Sequence, residues 1–236
     1  MKYFEEKGDG IFLWVELVIR QLAKAKSMSA FKKALEGFSD ASGSMDKLYT
    51  GVLSRIQEDD WRWIREIIRW LVVAERQVSE QELKDAVEWC LQDGLADFHD
   101  FLEVDCGSIV QLLAGEKDAQ IVQLVHETFG AFVVKEICPS PFFIDKTETH
   151  GYVAQKCLQG LLENAIPIVK NLYCSTTWVM HLSKATSSRQ ENQLLVSLHG
   201  FFTSHGAKAW IQHGLRYDNA LYRHSLNIGI ENQTLQ

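Results

Sequence analysis

Proline is scarce in this chain, three residues in 236. Leu, Ala, Glu and Lys are frequent, and so few helix breakers predict a mostly helical protein. Cysteine is sparse too: Cys90, Cys106, Cys138, Cys157 and Cys174 are widely spaced, odd in number and free of any Cys-x-x-Cys. That pattern excludes a cysteine zinc site and a disulfide framework, and the thiols read as small packed hydrophobes in a reducing compartment. Long apolar runs are missing. Ile11–Val15 and Trp70–Ala74 fall far short of the roughly 18 residues that span a bilayer. The opening MKYFEEKGDG is charged and lacks a signal-peptide core. A basic excess is missing as well: net charge is -7 and the pI about 5.6, which argues against nucleic acid and anionic membranes as partners. These absences together predict a cytoplasmic chain.

What is present is apolar bulk. Hydrophobic residues make up 46% of the chain, with seven Trp and twelve Phe, ample for a core and for a surface meant to be covered by another domain. The segment around which the other elements fall is Ile121 to Ile137. Ile121–Val125 is a β-branched run that reads as a strand; from His126 onward Phe129, Phe132, Val133 and Ile137 fall at helical spacing. Before it, Ile11, Trp14, Val15, Val18, Ile19 and Leu22 make one broad helical stripe. A short helix through Phe31 and Leu35 follows, then a loop over 39–44 and a helix carrying Leu48, Tyr49, Val52, Leu53 and Ile56.

Trp61 to Ala74 is the most apolar helix. Ser79 and Glu82 have the spacing of a capping box and predict a helix carrying Leu83, Val87 and Leu91. A helical piece around Phe98, Phe101 and Leu102 leads to a strand over 108–113, a turn at 115–118 and a returning strand over 121–125. Helix, helix, helix, hairpin is the order of a winged helix. Cys138-Pro139-Ser140-Pro141 then breaks the chain. Helices over 147–163, 173–182 and 191–202 follow. The predicted fold class is mainly α: a helical bundle over residues 1–60, a winged helix with a small β-hairpin over 61–138, and a second helical domain over 139–236.

The sequence holds no complete active site. Neither a G-x-x-x-x-G-K-[ST] loop nor a G-x-S-x-G elbow occurs. His126-Glu127 opens like a metalloprotease motif, but Gly130 stands where the second ligand would be. No catalytic residue, metal ligand or bound cofactor is therefore assigned. A winged helix invites a DNA-binding reading. The helix from Glu80 to Leu91, however, sets Glu80, Glu82, Asp85 and Glu88 against Lys84, the wrong sign for phosphate.

Several segments in order resemble fungal NACHT-type STAND nucleotide switches, NLR-like proteins, in the part C-terminal to their nucleotide-binding core. Gly10-Ile11-Phe12-Leu13-Trp14 resembles the helix that follows that core. Leu48-Tyr49 through Arg55-Ile56 is similar to a second helical motif of the family. Ile68 to Ala74 with Val78 to Leu83 looks like the start of its winged helix. Val125-His126-Glu127-Thr128-Phe129 and Phe132-Val133 resemble its histidine element; Tyr173, Trp178 and His181-Leu182 resemble a helix of its second helical domain. The resemblance implies a non-catalytic signalling region that couples the nucleotide state of the core to a C-terminal sensor or partner. It also implies that His126 touches the phosphate of ADP when a core is present; these 236 residues contain no such core. The face Ile11, Trp14, Val15 and Val18 is the candidate protein-interaction surface, toward the core or another signalling protein. The alternative is a helical adaptor that binds another protein with no nucleotide link.

Overall fold

The computed structural model describes residues 44–115, 119–163, 172–185 and 191–216, with a few positions between 19 and 32. The stripe Ile11, Trp14, Val15 and Val18 lies outside the described residues. Helix α1, Met45–Leu53, is capped by Ser44, whose hydroxyl accepts the Lys47 amide, and buries Leu48, Tyr49, Val52 and Leu53. A short 3-10 turn, Glu58–Asp60, leads into α2, Trp61–Val72. Trp63, Ile64, Ile67, Ile68, Trp70 and Leu71 of α2 are all buried, more than a one-sided stripe. Burial extends to Glu66, whose carboxylate accepts from Arg69 at 2.8 Å and from Trp70 Nε1 at 3.1 Å, so the charge is not left unpaired. Trp61, the first residue of α2, is only partly buried.

Val78–Ser79 forms a two-residue strand, β1, immediately before helix α3, Glu80–Leu91. The sequence pattern predicts only a helix start at these two residues, which they also are. Ser79 caps α3 with its hydroxyl, and Glu82 returns a bond to the Ser79 amide, completing the predicted capping box. Phe98–Asp100 (α4) continues through a π turn, Phe101–Asp105. The hairpin follows as β2, Val110–Ala114, and β3, Gln120–Leu124. The sheet is antiparallel in order β1-β3-β2, with Val78 opposite Val122 and Val110 opposite Leu124. A first strand pairing with the last is the connectivity of a winged helix. The helix that directly precedes the hairpin is thus α4 with its π turn, rather than the Glu80–Leu91 helix. It carries Asp97, Asp100, Glu103 and Asp105 around His99, so it too has the wrong sign for contact with a phosphate backbone.

Helix α5, Glu127–Val133, stops at Val133. Ile137, expected on its apolar face, lies beyond the helix and is 64% exposed. The following segment tucks back instead, burying Cys138, Phe142 and Ile144, with the Ser140–Pro141 bond in cis. Then come α6, Lys146–Leu162; α7, Leu172–Lys184; α8, Glu191–Thr203; and α9, His205–Arg216. Trp178 of α7 meets Phe201 and Trp210 edge-on, both with ring centroids 5.4 Å away, aromatic packing that adds to area burial. Buried Thr176 and Thr177 satisfy their hydroxyls on carbonyls one turn back, at 2.6 and 2.7 Å. The buried residues form a continuous cluster from Leu48 to Trp210.

Candidate functional site

His126 ends β3's run and begins α5. Its backbone is extended (φ -160°, ψ 152°), as an N-cap requires, and Nδ1 accepts the Thr128 amide at 3.2 Å. A backbone N–H can only donate, so Nδ1 carries no proton. The 2.9 Å contact of Thr128 Oγ1 with the same nitrogen must then be donated by the hydroxyl. Tyr49 O–H in turn donates to Thr128 across 2.8 Å. This chain of donors ties α1 to the junction and fixes the tautomer: the neutral ring holds its proton on Nε2. Burial pushes the Tyr49 hydroxyl above its ordinary pKa, which keeps it a donor.

His126 is half-buried and lines an open groove of about 510 Å³ between β3 and the end of α2. Arg76, Gln77, Gln111 and Gln123 share the lining. Among the described residues Nε2 has no hydrogen-bond partner, so a donor is left at the groove wall. The Arg76 guanidinium is already engaged by Glu82, at 2.7 and 3.1 Å. What the groove offers a ligand is thus an imidazole N–H and side-chain amides, beside the exposed Glu127 carboxylate.

A second polar constellation, missed in the sequence, joins the winged-helix segment to α6 and α7. Its hub is Tyr173. The backbone N–H of Tyr173 donates to Glu82 Oε1 at 2.8 Å, so the carboxylate that closes the α3 capping box also caps the start of α7. The ring lies 6.0 Å from Trp70 and 5.0 Å from the Arg76 guanidinium. The Tyr173 hydroxyl accepts the Glu75 amide at 3.1 Å and sits 2.9 Å from His181 Nε2. His181 Nδ1 faces His150 Nδ1 at 2.9 Å. Glu75 Oε1 is 3.8 Å from His150 Nδ1, and both Glu75 oxygens take Lys184 Nζ, at 2.7 and 2.6 Å.

Burial, reinforced by His150 and Lys184, lowers the His181 pKa to about 3; burial lowers His150 too, with Glu75 opposing. Both rings are therefore neutral at physiological pH. Glu82 behaves the other way: burial alone would raise its carboxyl, but Arg76 and the Ser79 donors outweigh that and hold it below the usual range. The three residues Glu75, His150 and His181 came from segments 75 and 31 positions apart, so no spacing rule could assemble them. The only advance signal was that Tyr173, Trp178 and His181 fell on one resembling motif.

The five cysteines are free thiols; burial pushes Cys138 up to about 12, far from a reactive thiolate. Among the described residues no helix is long and apolar enough to cross a membrane. No protein-family model, curated protein or solved structure matches this chain.

Proposed function

We propose that this chain is a non-catalytic regulatory region of a NACHT-like signalling NTPase, acting in the cytoplasm on a nucleotide-binding core. The observation that carries the reading is the state of His126. Its Nδ1 is consumed by the α5 cap, its Nε2–H remains available, and it lines an open groove rather than the core. A fixed-tautomer imidazole of this kind donates to a phosphate oxygen without reorganising. The Tyr49–Thr128–His126 chain would pass the presence or loss of that contact to α1. The coupling is then a difference in contacts between a core holding ADP and one that has released it. The stripe Ile11, Trp14, Val15 and Val18 is proposed as the face that packs on the core.

The test is binding of the 236-residue chain to a purified NACHT core from a related switch, supplied with ADP or with an ATP analogue. Tighter binding of the ADP form, lost in His126→Ala, supports the reading, and Trp14→Glu should abolish binding altogether. Binding of equal strength in both nucleotide states, or none, favours the helical adaptor with no nucleotide link. The chain by itself should show no calorimetric heat with ADP, since the groove offers an imidazole N–H and side-chain amides beside the Glu127 carboxylate and no phosphate cradle; micromolar affinity would overturn the coupling role.

A further inference from the structure

We propose that Glu75, His150 and His181 form a binding site for one zinc-type divalent cation, a clamp between the segment after α2 and the α6–α7 pair. Among the described residues this is where three potential ligands converge, their donor atoms all within 4.8 Å of one another. The two imidazoles meet nitrogen to nitrogen at 2.9 Å, and Glu75 Oε1 stands 3.8 Å from one of them. A tetrahedral zinc with bonds of about 2.0–2.1 Å separates its donors by about 3.3–3.4 Å. The two measured separations straddle that value, and the third pair of donors lies within 4.8 Å.

The chemistry of the donors agrees. Two imidazoles and a carboxylate are a borderline donor set suited to zinc rather than to calcium or magnesium. Each neutral imidazole carries one proton, and binding through both Nδ1 atoms requires only that this proton sit on Nε2. Without metal, a single proton lies between the two Nδ1 atoms. On binding, that proton is released and the same ring takes one up at Nε2, so neither histidine changes charge. If the ring is His181, its new Nε2–H donates to the Tyr173 hydroxyl, already 2.9 Å away. That is the outer-shell partner a metal-bound histidine requires.

Lys184 is the competitor. It pairs with both Glu75 oxygens but is 52% exposed at its side chain, so it can swing into water when the cation arrives. The site is therefore selective for a divalent ion that outcompetes one ammonium, and removing that ammonium should strengthen it. A merely structural histidine pair predicts no such gain.

The experiment is titration of the full chain with Co2+ and Zn2+, followed by absorption, metal stoichiometry and thermal unfolding. Expected are one ion per chain and tetrahedral d–d bands without thiolate charge transfer. Zinc should displace the cobalt and raise the unfolding temperature. His150→Gln and His181→Gln, checked for folding by circular dichroism, should weaken uptake about tenfold or more. Lys184→Met should tighten it roughly fivefold, since a half-exposed ion pair no longer competes. Replacing the exposed His199 and His205 by Gln should change nothing. Failure of the wild-type chain to take up one equivalent overturns the site. So does a cobalt spectrum dominated by thiolate charge transfer, or uptake that depends on His199 and His205. Should the His150 and His181 variants not fold, Lys184→Met decides: unchanged or weaker uptake overturns the proposal. Because no core or nucleotide enters, failure here leaves the His126 reading untouched, and the reverse.

Discussion

The His126 junction and the Tyr173 joint use the same materials to opposite ends. Each contains a histidine whose Nδ1 is committed and a tyrosine hydroxyl in a chain of donors. At the joint, His181 is 0% exposed, and both of its nitrogens are matched within the protein. At the junction, His126 is half-buried and one nitrogen is spare. A buried network with every group matched specifies how two segments meet, and loses heavily when one member is removed. A partly exposed histidine with one nitrogen spare contributes little to the fold and is where a ligand can be read. The contrast separates residues that hold this molecule together from residues that let it respond.

The sharpest way to break the contrast is at Tyr173. Tyr173→Ala removes a buried ring packed on Trp70 and strands the Glu75 amide and His181 Nε2. A loss of about 3–5 kcal/mol of unfolding free energy is expected in urea titrations. Tyr173→Phe keeps the ring and should lose about 1–3 kcal/mol through the unmatched donor and acceptor alone. If the two variants lose the same amount, the hydroxyl carries the joint and packing does not.

Glu82 tests the joint through pH. Its folded-state pKa lies below the unfolded value, so its contribution is fully present above the unfolded pKa. It drains away as pH falls from about 4.3, the ordinary glutamate value, through the lower folded one. Glu82→Gln should lower stability at neutral pH by about 2–3 kcal/mol, less than a fully buried pair because Arg76 keeps some solvent access. It should also flatten the acid limb of the urea midpoint plotted against pH. An acid limb unchanged by Glu82→Gln would assign the acid sensitivity elsewhere.

The smallest effect belongs to the junction. His126→Ala should cost about 1 kcal/mol, the worth of an N-cap, and His126→Asn much less because it can cap in the same way. If His126→Ala unfolds the chain, His126 belongs with the joint and the comparison collapses.

The winged scaffold was legible because its cues are local. The Ser79–Glu82 box, the β-branched run at Ile121–Val125 and the apolar helix from Trp61 each state their structure within a few residues. β1 was not legible, since a two-residue strand pairs through backbone and carries no period of its own. Ile137 was misplaced because helical spacing says where a side chain would face, not where a helix of seven residues ends. At the candidate site, the position of His126 was readable from the change of period, but its capping bond was found only in three dimensions. The joint was the least readable part. Glu75, His150 and His181 lie in three separate segments, and nothing in the spacing within any one of them points to the other two.

Glu82 has a consequence beyond its ion pair. One carboxylate serves the first turns of two helices, bonding the Ser79 amide at one and, 91 residues along the chain from Glu82 itself, the Tyr173 amide at the other. Neither helix can fray at that end without loosening the other. The amides of Ser79 and Tyr173 should therefore exchange with solvent in a single opening event, making a local hinge there unavailable to either helix alone.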